Sequence, residues 1–344
     1  MKTMFVRCVP AWAALLFAGF ATAQQPGATP VTVNNFIRAE TDLYFGNAVK
    51  EAGGVGKLHH SREMADVDKQ MVIRMNRDTL YSSAVFDLDA GPISITLPDA
   101  GTRFRSMMVV DEDHYIVGNI EYGAGTYTYD RQKVGTRYMF IALRTFVNPN
   151  DAADVGKVHA LQDATRVSQK SAGKFEVPKW DPVSQKKMRD ALLVLGGTLG
   201  GFKGAFGNKG KVDPIYHLLG TAVGWGGNPD KDATYAGGDP PKNDGKTVHR
   251  LTVRDVPVDG FWSLSVYNAE GYFQKNSLGA YSLNNVTAKK GADGSYTVQF
   301  GGCDGKVANC LPIMPGWNYA VRMYRPRAEI VSGKWKFPAP QPVS

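Results

Sequence analysis

The chain has 344 residues, of which 43% are hydrophobic and 21% are charged, and its formal net charge is +8. Aromatic residues make up 11% of the chain, which is too many for a disordered protein. After residue 23 no segment approaches the ~20 consecutive apolar residues that a membrane span needs. Basic residues alternate with acidic ones, so the mild positive charge does not predict nucleic-acid binding.

The first 23 residues have the features of a cleaved signal peptide. Lys2 and Arg7 form a basic region, residues 11–21 form an apolar segment, and Ala21-Thr22-Ala23 is an A-x-A cleavage site. Because the apolar segment is short and no stop-transfer signal follows it, cleavage near Ala23 is favoured over a membrane anchor. The sequence therefore predicts that the protein is periplasmic or secreted.

The N-terminal part of the remaining chain predicts one helix followed by several strands. Apolar residues recur every three to four positions in residues 33–49, which indicates an amphipathic helix that ends at Gly53-Gly54. Alternating apolar and polar residues predict strands at 93–97, 104–110, 115–120 and 138–146. Short strands at this spacing are typical of a sandwich or barrel rather than of a parallel α/β sheet.

The middle of the chain changes to a helical pattern. Asn150 or Asp151 is expected to cap a first helix, a second helix is expected near residues 188–199, and Asp213-Pro214 opens a third. A linker rich in Gly, Pro and Asp follows at residues 226–245.

The C-terminal part predicts strands again, at residues 251–253, 262–266, 296–300 and 317–323. The order of elements predicts a mainly β protein with a helical section and two β-sandwich domains. The expected divisions are 1–23 for the signal peptide, 24–149 for the N-terminal helix and β-sandwich, 150–245 for the helical section and linker, and 246–344 for the C-terminal β-sandwich.

The mature chain is expected to contain two cysteines, Cys303 and Cys310, on either side of a Gly-rich turn. In an oxidising compartment this arrangement favours a disulfide. Closing so short a loop would stabilise the protein by roughly 2–3 kcal/mol. A nucleophilic Cys303 is the weaker alternative, and a metal site would need further Cys or His residues nearby.

The segment at residues 74–81 concentrates polar groups beside an apolar pattern. Asn76 and Arg77 suit the fixation of a carboxylate or of sugar hydroxyls, and Asp78 suits an acid or a base. Burying polar groups at this density is costly unless they are used. The structural alternative, in which these side chains satisfy the backbone of a buried turn, is equally compatible with the sequence.

Acidic residues after the predicted strand at 104–110 form a weak candidate site for a divalent cation. Asp111 and Asp113 alternate with Glu112 and His114, so only one pair at a time faces the same side of a strand. A solvated loop is the favoured interpretation. The sequence requires no cofactor; a divalent cation is compatible with it, but no spacing selects a metal ion.

Aromatic residues of the C-terminal part are divided between core and surface. Trp262, Tyr267, Tyr272 and Tyr324, with Arg322 beside the last of them, are the candidate ligand contacts. The inward-facing members are expected in the core, whereas those on the opposite face suit sugars or aryl groups.

Several segments resemble a known pair of domains. The sequence NRDTLYS at 76–82, followed by Gly91-Pro92, resembles the N-terminal signature of an exported bacterial family, domain of unknown function 1254. The sequences DGFWSLSVY (259–267), GYF (271–273), PGWNY (315–319), RMYRP (322–326) and GKWKFP (333–338) resemble its usual partner, domain of unknown function 1214. The resemblance covers residues 35–343 and implies two jelly-roll-like β-sandwich domains, but it implies no reaction.

The expected site is a polar and aromatic cleft between the domains that takes a small carbohydrate-like or carboxylate-bearing ligand. The G-x-S-x-G, H-E-x-x-H and complete P-loop signatures are absent from the sequence. If the protein is an enzyme, hydrolysis is expected, with Asp78 as acid or base, Arg77 as anion stabiliser and Tyr81 as proton donor.

Two further classes of protein remain compatible with the sequence. A non-catalytic binding module would use the same cleft through Trp262, Tyr267 and Arg322. An envelope structural or assembly protein would instead have a large exposed apolar patch and form a stable homo-oligomer.

Overall fold

The computed structural model describes residues 27–70 and 73–343, so the expected signal peptide lies outside the described residues. The helices are α1 (Phe36–Ala52), α2 (Arg131–Val134), α3 (Ala152–Ala164), α4 (Pro182–Gly196), α5 (Pro214–Gly224) and α6 (Ala328–Val331), with a 3-10 turn at Leu88–Ala90. The strands are β1 (His59–His60), β2 (Thr79–Asp87), β3 (Ile93–Leu97), β4 (Arg105–Asp111), β5 (Gly125–Tyr129), β6 (Tyr138–Phe146), β7 (Arg166–Gln169), β8 (Ala233–Gly238), β9 (His249–Val253), β10 (Trp262–Tyr267), β11 (Ser282–Asn284), β12 (Tyr296–Phe300), β13 (Cys310–Leu311), β14 (Asn318–Tyr324) and β15 (Gln341–Pro342).

The N-terminal domain is a sandwich of two antiparallel sheets with strand orders β1-β2-β6-β4 and β5-β3-β7. Apolar side chains from the facing sides of these sheets form one core, which includes Phe86, Ile95, Val109 and Ile141. The outer face of the larger sheet is covered by α1, where Phe45 stacks against Phe140 of β6. Strands β4 and β6 are therefore buried on both faces, as their unbroken apolar runs require.

The C-terminal domain is a second sandwich, with sheet orders β11-β10-β14-β8 and β13-β12-β9-β15. Its core contains alternate residues of β10 and β14, such as Trp262, Leu264 and Val321, packed against Val298 and Phe300 of β12. The intervening residues of β10 and β14 point to the opposite side, where the N-terminal domain lies. The structure confirms the predicted fold class, a mainly β protein with two sandwich domains.

Asp residues cap the helices of the middle section. Asp151 accepts a hydrogen bond from the Ala153 amide at the start of α3, and Asp213 accepts two from the amides of Ile215 and Tyr216 at the start of α5. At the C-terminal end of α1, Gly53 has a φ of 71°, which favours glycine. The capping residues predicted from the sequence therefore mark real helix ends.

The middle section is less separate than the sequence suggested. Strand β7 pairs with β3 and belongs to the N-terminal sandwich, and β8, inside the expected linker at 226–245, pairs with β14. The predicted strand at 115–120 is not one, because its pairing with β4 is limited to an isolated bridge from Ile116 to Val110, and the Ile116 amide donates instead to the Gly207 carbonyl. Alternation of apolar residues identified β3, β4, β6, β9, β10, β12 and β14, but it missed others, including the nine-residue β2, and it did not assign the strands to sheets.

Two further expectations concern the disulfide and the membrane. Cys303 and Cys310 form a disulfide with a Cα–Cα distance of 5.6 Å, as predicted. None of the helices in residues 27–70 and 73–343 is long and apolar enough to cross a bilayer.

Candidate functional site

The two domains meet through the segment that the sequence singled out. Residues 74–79 lead into β2 and lie against the face of β10 and β14 that points away from the C-terminal core. Several hydrogen bonds connect them, among which Asn284 donates to Asp78, Arg322 donates to the Arg74 carbonyl, and Asn76 donates to Tyr324. We call the polar group formed by Asn76, Asp78, Tyr81, Arg144, Tyr235, Arg322 and Tyr324 the interdomain cluster.

Asp78 is fully buried between the domains. Its Oδ1 accepts a hydrogen bond of 2.8 Å from Asn284 Nδ2, while Oδ2 has no well-aligned donor among the described residues. Burial raises the pKa of Asp78, and Asn284, Arg322 and the nearby Ser263 hydroxyl partly oppose this rise. Asp78 is therefore a carboxyl group whose environment favours the protonated form.

Arg322 is the buried cation closest to the motif. Its Nη2 donates to the Tyr267 hydroxyl at 2.8 Å and to the Arg74 carbonyl at 2.6 Å, and its Nη1 donates to the Ser265 hydroxyl at 3.2 Å. Burial alone would lower the pKa of Arg322, but Tyr267, Tyr324 and Asp78 raise it by more, so the pKa lies above its ordinary value. The guanidinium stays charged and holds the loop before β2 against β14.

Arg77 and Asn76 have mainly structural partners. Arg77 donates to the Ala65 carbonyl and lies over the ring of Tyr281, 5.3 Å from its centroid. Asn76 accepts from the Asp78 amide at 2.8 Å and donates to the Tyr324 hydroxyl at 3.0 Å. The structural alternative left open for Asn76 and Arg77 therefore accounts for most of their contacts.

Arg144, in the middle of the domain interface, was not among the predicted site residues. It is 9% exposed, its amino groups donate to two neutral acceptors, Asn228 Oδ1 at 3.3 Å and the Gly226 carbonyl at 3.2 Å, and the Tyr81 hydroxyl is a further neutral partner. It forms no ion pair with any described carboxylate. A buried cation with long, neutral hydrogen bonds retains most of its capacity to bind an anion.

Tyrosine side chains surround Arg144, and one of them, Tyr235, is exposed to solvent. Tyr81 lies opposite Arg144 in the sheet and its ring centroid is 5.8 Å from the guanidinium carbon. Burial lowers the pKa of Arg144, but Tyr81, Tyr324 and Tyr235 raise it above its ordinary value. Tyr235 is 53% exposed and also lines a cavity of about 330 Å³ beside β8. The other residues that line this cavity, such as Met323, Trp335 and Phe337, lie on the C-terminal core side of β14, so the cavity meets the cluster at Tyr235 alone.

Two predicted ligand contacts are placed differently from the rest. Trp262 is buried in the C-terminal core, where its ring meets Tyr296 and Phe337, so it faces away from the interdomain cluster and does not fit as a ligand contact there. Tyr272 is half-buried in the loop after β10, and its amide donates to Asn268. Tyr267 and Tyr324, in contrast, both point into the interface.

The acidic residues after β4 are engaged in structural contacts. Asp111 Oδ1 accepts from the amides of Asp113 and Tyr115, and the Asp113 carboxylate binds the Arg38 guanidinium. Burial raises the pKa of Asp111 to about 6. His114 is buried between Thr221 and the Gly226 amide, and burial lowers its pKa. In residues 27–70 and 73–343 no three His, Cys, Asp or Glu residues are grouped so as to hold a metal ion.

Comparison with known proteins identifies both domains. A family model described as Protein of unknown function (DUF1254) matches residues 55–127, and one described as Protein of unknown function (DUF1214) matches residues 233–328. The second match begins at the first residue of β8, which agrees with the place of that strand in the C-terminal sheet. No curated protein matches the chain.

Two solved structures are similar to this one. The VPA0106 protein from Vibrio parahaemolyticus has a TM-score of 0.71 and 18% sequence identity, with 91% of this chain and 98% of that chain covered. An uncharacterized protein from Burkholderia cenocepacia has a TM-score of 0.49 and 12% identity, with 85% and 83% covered. The first similarity establishes a shared fold across both domains.

Proposed function

The chain belongs to the proteins that pair the domains of unknown function 1254 and 1214, and we propose that it binds a small carboxylate-bearing ligand at the interdomain cluster. The observation that carries this proposal is Arg144. A guanidinium taken out of water costs several kcal/mol unless a counter-charge or a full set of hydrogen bonds replaces its hydration. Here the charge is buried and the described acceptors are neutral and distant.

The groups around Arg144 define the kind of ligand. Bidentate binding to a planar guanidinium suits a carboxylate, which would replace the long bonds to Asn228 and Gly226. The hydroxyls of Tyr81 and Tyr235, which both lie near the guanidinium, suit a ring that carries hydroxyl groups. A hydroxylated acid of the size of a sugar acid or an aromatic acid fits this combination.

The test is calorimetric titration with a set of small acids and their neutral amides. Gluconate, galacturonate and 4-hydroxybenzoate are suitable probes, because each combines one carboxylate with hydroxyl groups. Arg144→Gln should weaken binding at least tenfold, since a charge-assisted bidentate bond is lost. Arg254→Gln, which removes one exposed positive charge elsewhere, is the matched control. Equal losses in both variants, or no binding to the wild type, would contradict the proposal.

Hydrolysis is a second candidate function, and the observation in its favour is Asp78. A buried carboxyl with a raised pKa and an unpartnered Oδ2 has the properties of a general acid. Tyr81 would orient the ligand, and Arg77 would have to leave the Ala65 carbonyl to stabilise an anion. Incubating the protein with glycans, esters and amides beside Asp78→Asn tests this function by mass spectrometry. A product formed equally by both proteins would exclude Asp78 as the acid.

Export of the protein completes the proposal. The Cys303–Cys310 disulfide supports it, since disulfides persist in oxidising compartments. Intact-mass measurement of the protein from a periplasmic fraction should give a chain that begins after Ala23. A full-length chain recovered from the cytoplasm would contradict export.

A further inference from the structure

A second site lies in the C-terminal domain, away from the interdomain cluster. A cavity of about 340 Å³ opens beside β9 and β12 and is lined by Arg250, Lys289, Lys290, Gly291, Ser295, Thr297, Gln299, Val307, Ala308 and Asn309. Three of these residues are cationic and none is acidic. We propose that this cavity binds a small polyanion, a ligand that carries two or more phosphate or carboxylate groups.

The three cations have no counter-charge of their own. No described carboxylate lies within 4.0 Å of the charged nitrogens of Arg250, Lys289 or Lys290. Arg250 directs Nε and Nη2 at one neutral atom, Gln299 Oε1, at 3.0 and 2.9 Å, which leaves Nη1 free to bind another group. Positive charges gathered in a concave surface attract an anion more strongly than the same charges dispersed over a convex one.

Asp293, in the same turn as Gly291, keeps its negative charge but forms no ion pair with any of the three cations. Its Oδ1 accepts hydrogen bonds from the Ser295 amide and hydroxyl at 3.0 and 2.8 Å, and these bonds lower its pKa. Asp293 is thus occupied in holding the turn that carries the lysines. Thr297, Gln299 and Asn309 add neutral polar groups to the lining, but their side chains already hydrogen-bond to Thr252, Gly301 and Lys289, so the cations supply the attraction for an anion.

The disulfide holds one wall of this cavity. Val307, Ala308 and Asn309 belong to the loop that Cys303 and Cys310 close. Asn309 joins this loop to the lysine turn, because its Oδ1 accepts from the Lys289 amide at 2.6 Å and its Nδ2 donates to the Lys289 carbonyl at 2.7 Å. Opening the disulfide should therefore loosen the position of Lys289 as well, so the affinity for the anion depends on the oxidised state.

The experiment is calorimetric titration of the purified protein with pyrophosphate and with citrate at low and at high salt. The two probes distinguish a phosphate from a carboxylate source of the same charge, and binding of either that depends on Lys289 and Lys290 supports the proposal. We expect binding at low salt that weakens as salt rises. Lys289→Gln with Lys290→Gln should weaken it at least tenfold, because two short-range charges are removed.

Matched variants separate a site from general charge attraction. Lys187→Gln with Lys334→Gln removes the same charge from exposed positions elsewhere and should leave the affinity unchanged. Ala308→Glu places a negative charge on the exposed wall and should abolish binding without affecting the fold. Equal weakening by both lysine pairs, or full affinity in Ala308→Glu, would overturn the proposal. Arg144→Gln should not alter pyrophosphate binding, so the failure of one site is distinguishable from the failure of the other.

Discussion

Arg144→Met is the perturbation that best distinguishes a ligand-binding cation from a structural one. Methionine keeps an unbranched side chain of similar reach but removes the charge. The variant loses two long hydrogen bonds, to Asn228 and Gly226, which are worth about 0.5–1.5 kcal/mol each. It also removes a buried charge that costs several kcal/mol to hold out of water. The two effects oppose each other, so we expect the free energy of unfolding to change by less than about 1 kcal/mol.

Arg189→Met is the reference for a structural cation. Arg189 binds both oxygens of Glu40, at 2.7 and 2.5 Å, and the Glu40 side chain is only 1% exposed. Removing this arginine leaves a buried carboxylate whose remaining described side-chain partner is Gln185. Breaking such a pair typically costs about 3–5 kcal/mol. The two substitutions change the same residue type but should differ several-fold in their effect.

Urea unfolding followed by circular dichroism measures both free energies under the same conditions. If Arg144→Met costs about 3 kcal/mol or more, as Arg189→Met is expected to do, Arg144 is a structural element of the interface. The argument for a carboxylate ligand would then lose its main support. A small change in stability combined with loss of binding to the small-acid probes is the outcome that the proposal requires.

Three other predictions concern stability. Burial raises the pKa of Asp42 to about 6, so the contribution of Asp42 to the free energy of unfolding should fall by on the order of 3 kcal/mol as pH rises from about 4 to about 6. Asp42→Asn should remove this contribution in unfolding curves measured at several pH values, and an unchanged pH profile would contradict the prediction. The raised pKa of Asp78 has the same sign, so Asp78→Asn should gain stability relative to the wild type as pH rises above about 4, and a gain that is independent of pH would be evidence against a buried acid. Replacing Cys303 and Cys310 by Ser should cost roughly 2–3 kcal/mol in urea unfolding, and a cost near zero would mean that the loop is ordered without its disulfide.

The sequence predicted the ends of the helices better than it predicted which strands belong to the same sheet. Local signals such as Asp213-Pro214 and Gly53 act within one helix turn, so they can be read from neighbouring residues. Sheet membership depends on contacts between distant parts of the chain. Strand β8 pairs with β14 across more than eighty residues, and nothing local in its glycine-rich sequence indicates this.

Single residues of the candidate site were also placed only in part by the sequence. Trp262 was predicted as a ligand contact although it shares the alternation of Leu264 and Val266, a pattern that favours the core, where it lies. Tyr267 has the opposite parity and faces the interface. Arg144 was overlooked because β6 was read only as an apolar strand. A single arginine in a strand that is buried throughout was the available signal.

The motif at 74–81 combines two roles that the sequence could not separate. Most of its polar groups are used to dock the domains: Asp78 binds Asn284, Asn76 binds Tyr324, and the Arg74 carbonyl accepts from Arg322. The unused binding capacity lies one strand further, at Arg144, near the exposed Tyr235. The motif therefore helps to position Tyr81 and Tyr324 around the guanidinium of Arg144, which belongs to β6 and not to the motif. Substitutions in the motif should first weaken domain docking, whereas substitutions at Arg144 should first weaken ligand binding.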